Sequence, residues 1–154
     1  MKKRLFLNNI RSAHNVGAMF RTADGAGVEH IYLGGYTPTP VDRFARVQPE
    51  IAKTSLGANE TVPWEYVKSG GEAAALCALQ SEGYTVVVVE QALRSISLYD
   101  FNVPEQVVYV VGNEVSGVDQ DIIAVADVVI EIPMHGTKES LNVSTTAGIV
   151  LFTQ

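Results

Sequence analysis

Five short stretches of this chain are either almost purely apolar or rich in Val and Ile between turn formers, and the segments separating them bring apolar residues back every three or four positions. The first pattern predicts strands over Leu5–Ile10, His30–Leu33, Thr85–Glu90, Val107–Val111 and Val128–Ile132. The second predicts helices over Asn15–Gly25, Glu72–Glu82, Gln120–Ala126 and from Asn142 to the end. Strands alternating with helices predict an α/β fold with a largely parallel sheet. Wholly apolar strands further imply helices on both of its faces.

Tyr36–Trp64 interrupts the alternation. It holds Pro38, Pro40, Pro49 and Pro63 and shows the weakest periodicity, so loops around a short helix are expected there, in the most mobile part of the chain. No repeat or linker divides the sequence, and 154 residues suit one domain over 1–154.

Composition refines this picture. Apolar residues make up 47% and charged ones 18%, as in a globular protein rather than a disordered one. No apolar run approaches a membrane-spanning length, and the basic start Met1-Lys2-Lys3-Arg4 is followed by no signal-peptide pattern, so a cytoplasmic location is expected. Cys77, the single cysteine, lies in an alanine-rich stretch that predicts burial. The net charge of -6 argues against a protein that coats nucleic acid, yet its distribution is uneven. Residues 1–68 carry nine Lys and Arg against six Asp and Glu, a net +3, leaving the amino-terminal half able to face a polyanion.

Three stretches carry candidate chemistry. In the first, Asn8 to Ala23, a strand runs into a helix whose Val16, Met19, Phe20 and Ala23 form an apolar stripe. Arg21 and Gly17 lie on the opposite side, where a guanidinium beside an open glycine suits a phosphate. Taken alone, this stretch reads more simply as a solvated arginine near Asp24 with Asn15 as the helix N-cap.

In the second, Val107 to Val118, an apolar strand ends in the polar turn Gly112-Asn113-Glu114, at the place where open α/β sheets bind ligands. An ordinary turn explains it nearly as well.

In the third, Ile130 to Gly148, a strand stops at Pro133, a loop follows, and a helix opens amid Ser140, Asn142, Ser144, Thr145 and Thr146. Ser140 or Asn142 would serve as N-cap, and the remaining hydroxyls point to a ligand.

Other familiar sites fit poorly. Gly25-Ala26-Gly27 lacks the third glycine of a dinucleotide fingerprint and precedes a strand, and His14, His30 and His135 have no metal-ligand spacing.

In this order, the three stretches resemble the motifs of the SpoU/TrmH family of RNA methyltransferases, within the SPOUT superfamily. Ala52-Lys53-Thr54-Ser55-Leu56-Gly57-Ala58 also looks like a family segment, and the resemblance spans essentially the whole chain. It implies an α/β knot with a carboxy-terminal trefoil, a homodimer with a shared active site, and S-adenosylmethionine as methyl donor to an RNA ribose 2′-hydroxyl, with no metal. tRNA is expected ahead of rRNA, and a catalytically idle RNA- or nucleotide-binding module is the alternative.

Carried over by position, the catalytic set is Arg21, Asn15, Glu114, Ser140 and Asn142, with Arg21 at the RNA phosphate and the others ordering the site. The cofactor set is Val89, Glu90, Gly112, Asn113, Ile132, Met134 and Leu141. Thr145-Thr146 replaces a smaller apolar pair of many relatives. The amino-terminal RNA-binding extension of many relatives is expected to be missing here, which would leave RNA binding to the dimer, to the basic residues Lys2, Lys3, Arg4, Arg11, Arg43, Arg46 and Lys53, or to an accessory partner.

Overall fold

The computed structural model describes residues 1–153. Seven strands form one entirely parallel sheet: β1 (Lys2–Asn8), β2 (His30–Gly34), β3 (Trp64–Val67), β4 (Thr85–Val89), β5 (Ile96–Ser97), β6 (Gln106–Val111) and β7 (Val128–Glu131). Their order is β3-β2-β1-β6-β4-β7-β5. The chain runs outward from β1 through β2 to β3, then crosses to β4, and β6 later fills the gap between the two halves.

Alternation along the central strands divides the core between the two faces. Leu5, Leu7, Val87, Val89, Val107, Tyr109 and Val111 pack on one face with helices α1 (Ala13–Gly25) and α6 (Val143–Phe152) and with Ile51 of α2 (Pro49–Ser55). Phe6, Val86, Val88, Val108 and Val110 face the other way, onto Leu76 and Leu79 of α4 (Glu72–Ser81) and Ile122 of α5 (Gln120–Val125). The stripe predicted on the first helix, Val16, Met19, Phe20 and Ala23, is wholly buried. The Lys3 ammonium, itself buried, donates to the Leu151 carbonyl at 2.9 Å and so satisfies the carboxyl end of α6.

Four local expectations change. The edge strands β3 and β5 were not foreseen: β3 is half exposed and carries no clean alternation, while β5 has only two residues. The proline-rich segment holds two short helices, α2 and α3 (Ala58–Thr61), rather than one. Cys77 is exposed, because the alanine-rich helix α4 buries only Glu72, Leu76 and Leu79. No described helix is long and apolar enough to cross a membrane.

Gly17 is not open either. A Cβ there would lie 1.9 Å from Thr54 Oγ1 and 2.7 Å from the Ile51 carbonyl, so its missing side chain lets α2 pack directly on α1 instead of admitting a phosphate.

Candidate active site

The carboxyl ends of β4, β6 and β7 open into a cleft of about 990 Å3, between strands the chain reaches from opposite directions. Its walls are the three polar turns that follow those strands.

The turn after β6 closes on itself. Asn113 and Gly117 exchange backbone hydrogen bonds at 3.0 Å, and Asn113 Oδ1 accepts from the amides of Val115 and Ser116. Asn113 Nδ2 donates to the Asn9 carbonyl and to Tyr36 Oη, both at 2.9 Å, which uses this buried side chain fully as a brace. A Cβ on Gly112 would sit 2.5 Å from Gly117 C and Val118 N, so only glycine lets the turn fold back this tightly.

Glu114 leaves that turn and reaches the start of α1. Its carboxylate accepts from the amides of Arg11 at 3.1 Å and Ser12 at 3.2 Å, and from Asn15 Nδ2 at 3.1 Å. Burial would raise this carboxyl, but the donors from Arg11, from its own amide, from Asn15 and from Ser12 outweigh it and hold the group below the usual carboxylate range. Ser12, rather than Asn15, is the N-cap of α1, with its Oγ accepting from the Asn15 amide at 3.1 Å. With Ser12 as the cap, the Asn15 side chain is free to reach Glu114 and Asn142.

Asn142 caps α6, as one of the two sequence readings had it, its Oδ1 accepting from the Ser144 amide at 2.9 Å. The same oxygen accepts from the Ser144 hydroxyl, so part of the hydroxyl surplus serves the cap rather than a ligand. Asn142 Nδ2 donates to Asn15 Oδ1 at 3.3 Å. Glu114, Asn15 and Asn142 thereby form one chain of hydrogen bonds linking all three stretches.

The turn after β4 joins them through Glu90, whose Oε2 accepts from the Val118 amide at 3.0 Å, and through Gln91, which donates to the Glu139 carbonyl at 2.6 Å. Glu90 thus braces the cleft wall through its side chain.

The expected residues divide between two places. Val89, Glu90, Gly112, Asn113, Glu114, Ile132, Met134, Ser140 and Leu141 line the cleft, whereas Asn15 and Asn142 support it from outside its lining. Arg21 is exposed in a second groove of about 560 Å3, shared with His14, Lys53, Thr54, Leu56 and Phe152. Among the described residues, none that lines this groove is an Asp or Glu. Tyr36, Asn9 and Ser12, which hold the turns in place, were missed because a lone tyrosine, asparagine or serine in a loop leaves no periodic signal.

Residues 2–152 match the model of the SpoU rRNA Methylase family. The chain belongs to that family. Relatives carry different RNA names. The SpoU chain is 36% identical over 147 residues to the 23S rRNA (guanosine-2′-O-)-methyltransferase RlmB of Neisseria meningitidis serogroup B, covering 96% of this chain and 55% of the relative. It is 29% identical over 150 residues to the tRNA (guanosine(18)-2′-O)-methyltransferase of Aquifex aeolicus, covering 96% of this chain and 66% of that protein. Among solved structures it superposes on the AdoMet-bound rRNA methyltransferase of Sinorhizobium meliloti with a TM-score of 0.86 and 26% identity, over 99% of this chain and 55% of the other. The chain therefore spans a little over half to two thirds of the length of these proteins. The family match takes in all three polar turns of the cleft and the groove around Arg21.

Proposed function

We infer that the chain transfers the methyl group of S-adenosylmethionine to a ribose 2′-hydroxyl of RNA. The observation that carries this reading is the convergence of three turns, distant in sequence, on one cleft at the carboxyl edge of a parallel sheet, in a chain of the SpoU family.

The cleft suits the donor chemically. Val89, Val111, Ile132, Leu141 and Val143 supply apolar surface for a purine, and loop backbone supplies polar atoms at its rim. Glu90, Glu114, Glu131 and Glu139 face a single Arg94, an acidic balance that favours a ligand bearing sulfonium and ammonium charges. The sulfonium supplies an already activated methyl group. The residues then have to align donor and acceptor and to exclude competing geometry, a task in which positioning dominates.

Arg21 is assigned to the RNA phosphate, with Lys53 as a second cation in a groove that no Asp or Glu lines among the described residues. Because that groove is separate from the cleft, a homodimer in which the Arg21 of one subunit serves the cleft of the other is part of the reading. Exposed Leu56 and Phe152 beside Arg21 give such a contact apolar surface. A guanidinium stays protonated, so its role is to hold phosphate and to stabilise developing alkoxide charge. We further assign the carboxy-terminal segment to a trefoil knot, threaded through a loop, on the strength of the family match, and the protein to the cytoplasm.

Purified protein with labelled S-adenosylmethionine is expected to mark RNA. Arg21→Ala should abolish transfer with cofactor affinity retained, and mixing it with a Gly112→Ala chain, whose cleft is weakened, should restore part of the activity at cofactor levels that leave Gly112→Ala alone inactive. Cofactor uptake with no transfer to any RNA would make the cleft an idle binding site. Nucleoside mass spectrometry of cells with and without the gene assigns the RNA: loss of a 2′-O-methyl nucleoside from tRNA is the expectation, and loss from rRNA alone would reassign the substrate.

A further inference from the structure

Between β2 and α2 the chain raises a small hairpin that the cleft does not use. Val41 bridges Val47, the Gln48 amide donates to the Pro40 carbonyl at 2.9 Å, and the Asp42 amide donates to the Arg46 carbonyl at 3.0 Å. Asp42 organises the tip: its Oδ1 accepts from the amides of Phe44 at 2.8 Å and Arg46 at 3.0 Å, and its Oδ2 pairs with Arg46 Nε at 2.7 Å. Ala45 takes a left-handed φ of 58° to complete the turn.

This well-bonded turn holds an aromatic ring out in water. Phe44 is 63% exposed, and Val47 on the returning strand and Tyr36 at the foot of the hairpin are each 60% exposed. The guanidinium carbons of Arg43 and Arg46 lie 4.8 and 5.1 Å from the Phe44 ring centroid. Arg46 is tied to Asp42, whereas Arg43 has no hydrogen bond or ion pair among the described residues. Arg43 is therefore able to leave the ring for a phosphate, uncovering a π face.

Both feet of the hairpin stand on the site. Tyr36 donates its amide to Asn9 Oδ1 at 3.2 Å and accepts from Asn113 of the cleft wall, while Pro49 opens α2, which packs against Gly17 of α1. The tip is thus carried by the same carboxyl edge of the sheet as the cleft. A flat ring flanked by guanidinium groups matches an unpaired nucleotide, whose base stacks while its phosphate meets the cations. A second copy of this hairpin is a poorer occupant, since a two-fold pairing would set Arg43 and Arg46 against themselves.

We propose that Phe44, with Arg43 and Arg46, is a stacking platform for an unpaired base neighbouring the ribose that is methylated. The proposal rests on the RNA methyltransferase reading given above. It makes the hairpin a selector for RNA whose target lies in a loop or other single-stranded region.

The test measures binding of fluorescein-labelled oligouridylate and of a short RNA duplex to the full chain by fluorescence anisotropy. Phe44→Ala is expected to weaken oligouridylate binding by roughly 5- to 150-fold, to leave duplex binding unchanged, and to keep S-adenosylmethionine affinity and sedimentation at wild-type values. Phe44→Trp should restore single-strand affinity, and Arg43→Ala should lower the slope of log affinity against log salt by about one. Unchanged oligouridylate affinity in Phe44→Ala, in a protein whose wild type still methylates RNA, overturns the platform and leaves the enzymatic reading standing. A change in sedimentation instead assigns the tip to contact between copies and overturns the proposal. A wild type that takes up neither S-adenosylmethionine nor RNA overturns both readings.

Discussion

Asn15 Nδ2 donates to Glu114 Oε1 across 3.1 Å, and this bond joins the first helix to a turn 99 residues further along the chain. The same carboxylate takes two backbone amides at the start of α1, so it works as a remote cap on that helix as well as a wall of the cleft. Glu114→Ala would leave the Ser12 amide and Asn15 Nδ2, both part-buried, without an acceptor. The expected cost is about 1–3 kcal/mol, seen as a lower melting temperature by about 2–4 °C per kcal/mol. Glu114→Asp should recover little, because the shorter side chain cannot span the same three donors.

Acid should act on two groups in separate ranges. Burial lowers the His30 imidazole from its ordinary 6.5, with Arg4 adding to the effect and Glu65 opposing it, and its Nε2 is buried without a partner. The folded state thus resists protonation there, and stability should begin to fall as pH drops through 6.5 toward the lowered value. Glu114 is depressed, so its contribution is present above 4.5 and is lost as pH falls through its folded value below that. Melting temperatures against pH should show both declines, with His30→Phe flattening the upper and Glu114→Gln the lower. A profile unchanged by either variant would contradict this assignment.

Gly17→Ala tests whether the amino-terminal helices depend on close approach. The added methyl would meet Thr54 Oγ1 and the Ile51 carbonyl, which breaks the Thr54 hydrogen bond to the His14 carbonyl or pushes α2 away. A loss of about 1–3 kcal/mol is expected from chemical denaturation. Adding Thr54→Ala should restore only part of it, since the Ile51 carbonyl remains in the way.

Gly112→Ala should act on the cleft more than on the fold. Its methyl would press on Gly117 and Val118, whose amide is held by Glu90, and so displace the wall between two of the three turns. Calorimetry is expected to show S-adenosylmethionine affinity lowered by about tenfold or more, with far-ultraviolet circular dichroism unchanged.

Legibility in the sequence followed the strength of the periodic signal. Val86 to Val89 and Val107 to Val111 announce buried strands, and Val16, Met19, Phe20 and Ala23 announce a helix face, because each pattern repeats within a few residues and is buried as a set. Trp64–Val67 and Ile96–Ser97 left no such trace, since edge strands are short or half exposed and gain their order from neighbouring strands. Cys77 shows the opposite error: its alanine neighbours have helix propensity but no amphipathic contrast, so local sequence could not say which face turns inward.

For the site, Gly112, Asn113 and Glu114 could be named from the sequence as a polar turn directly after an apolar strand, Ser140 as a candidate cap of the last helix and Leu141 through the family resemblance, and all five line the cleft. Their division of labour could not. That Ser12 caps the helix while Asn15 spans Glu114 and Asn142, that Asn113 is spent on Asn9 and Tyr36, and that Gly17 receives a helix depend on contacts between residues far apart in the chain. By itself the sequence determined the parallel α/β class, the core faces and the polar segments after β6 and β7, all of which follow from short-range order and hydrophobic burial. Only the tertiary structure decided which donor meets which acceptor, and that Arg21 stands in a different groove from the cleft, because hydrogen bonds and close packing act over a few ångströms in space and leave no period along the chain.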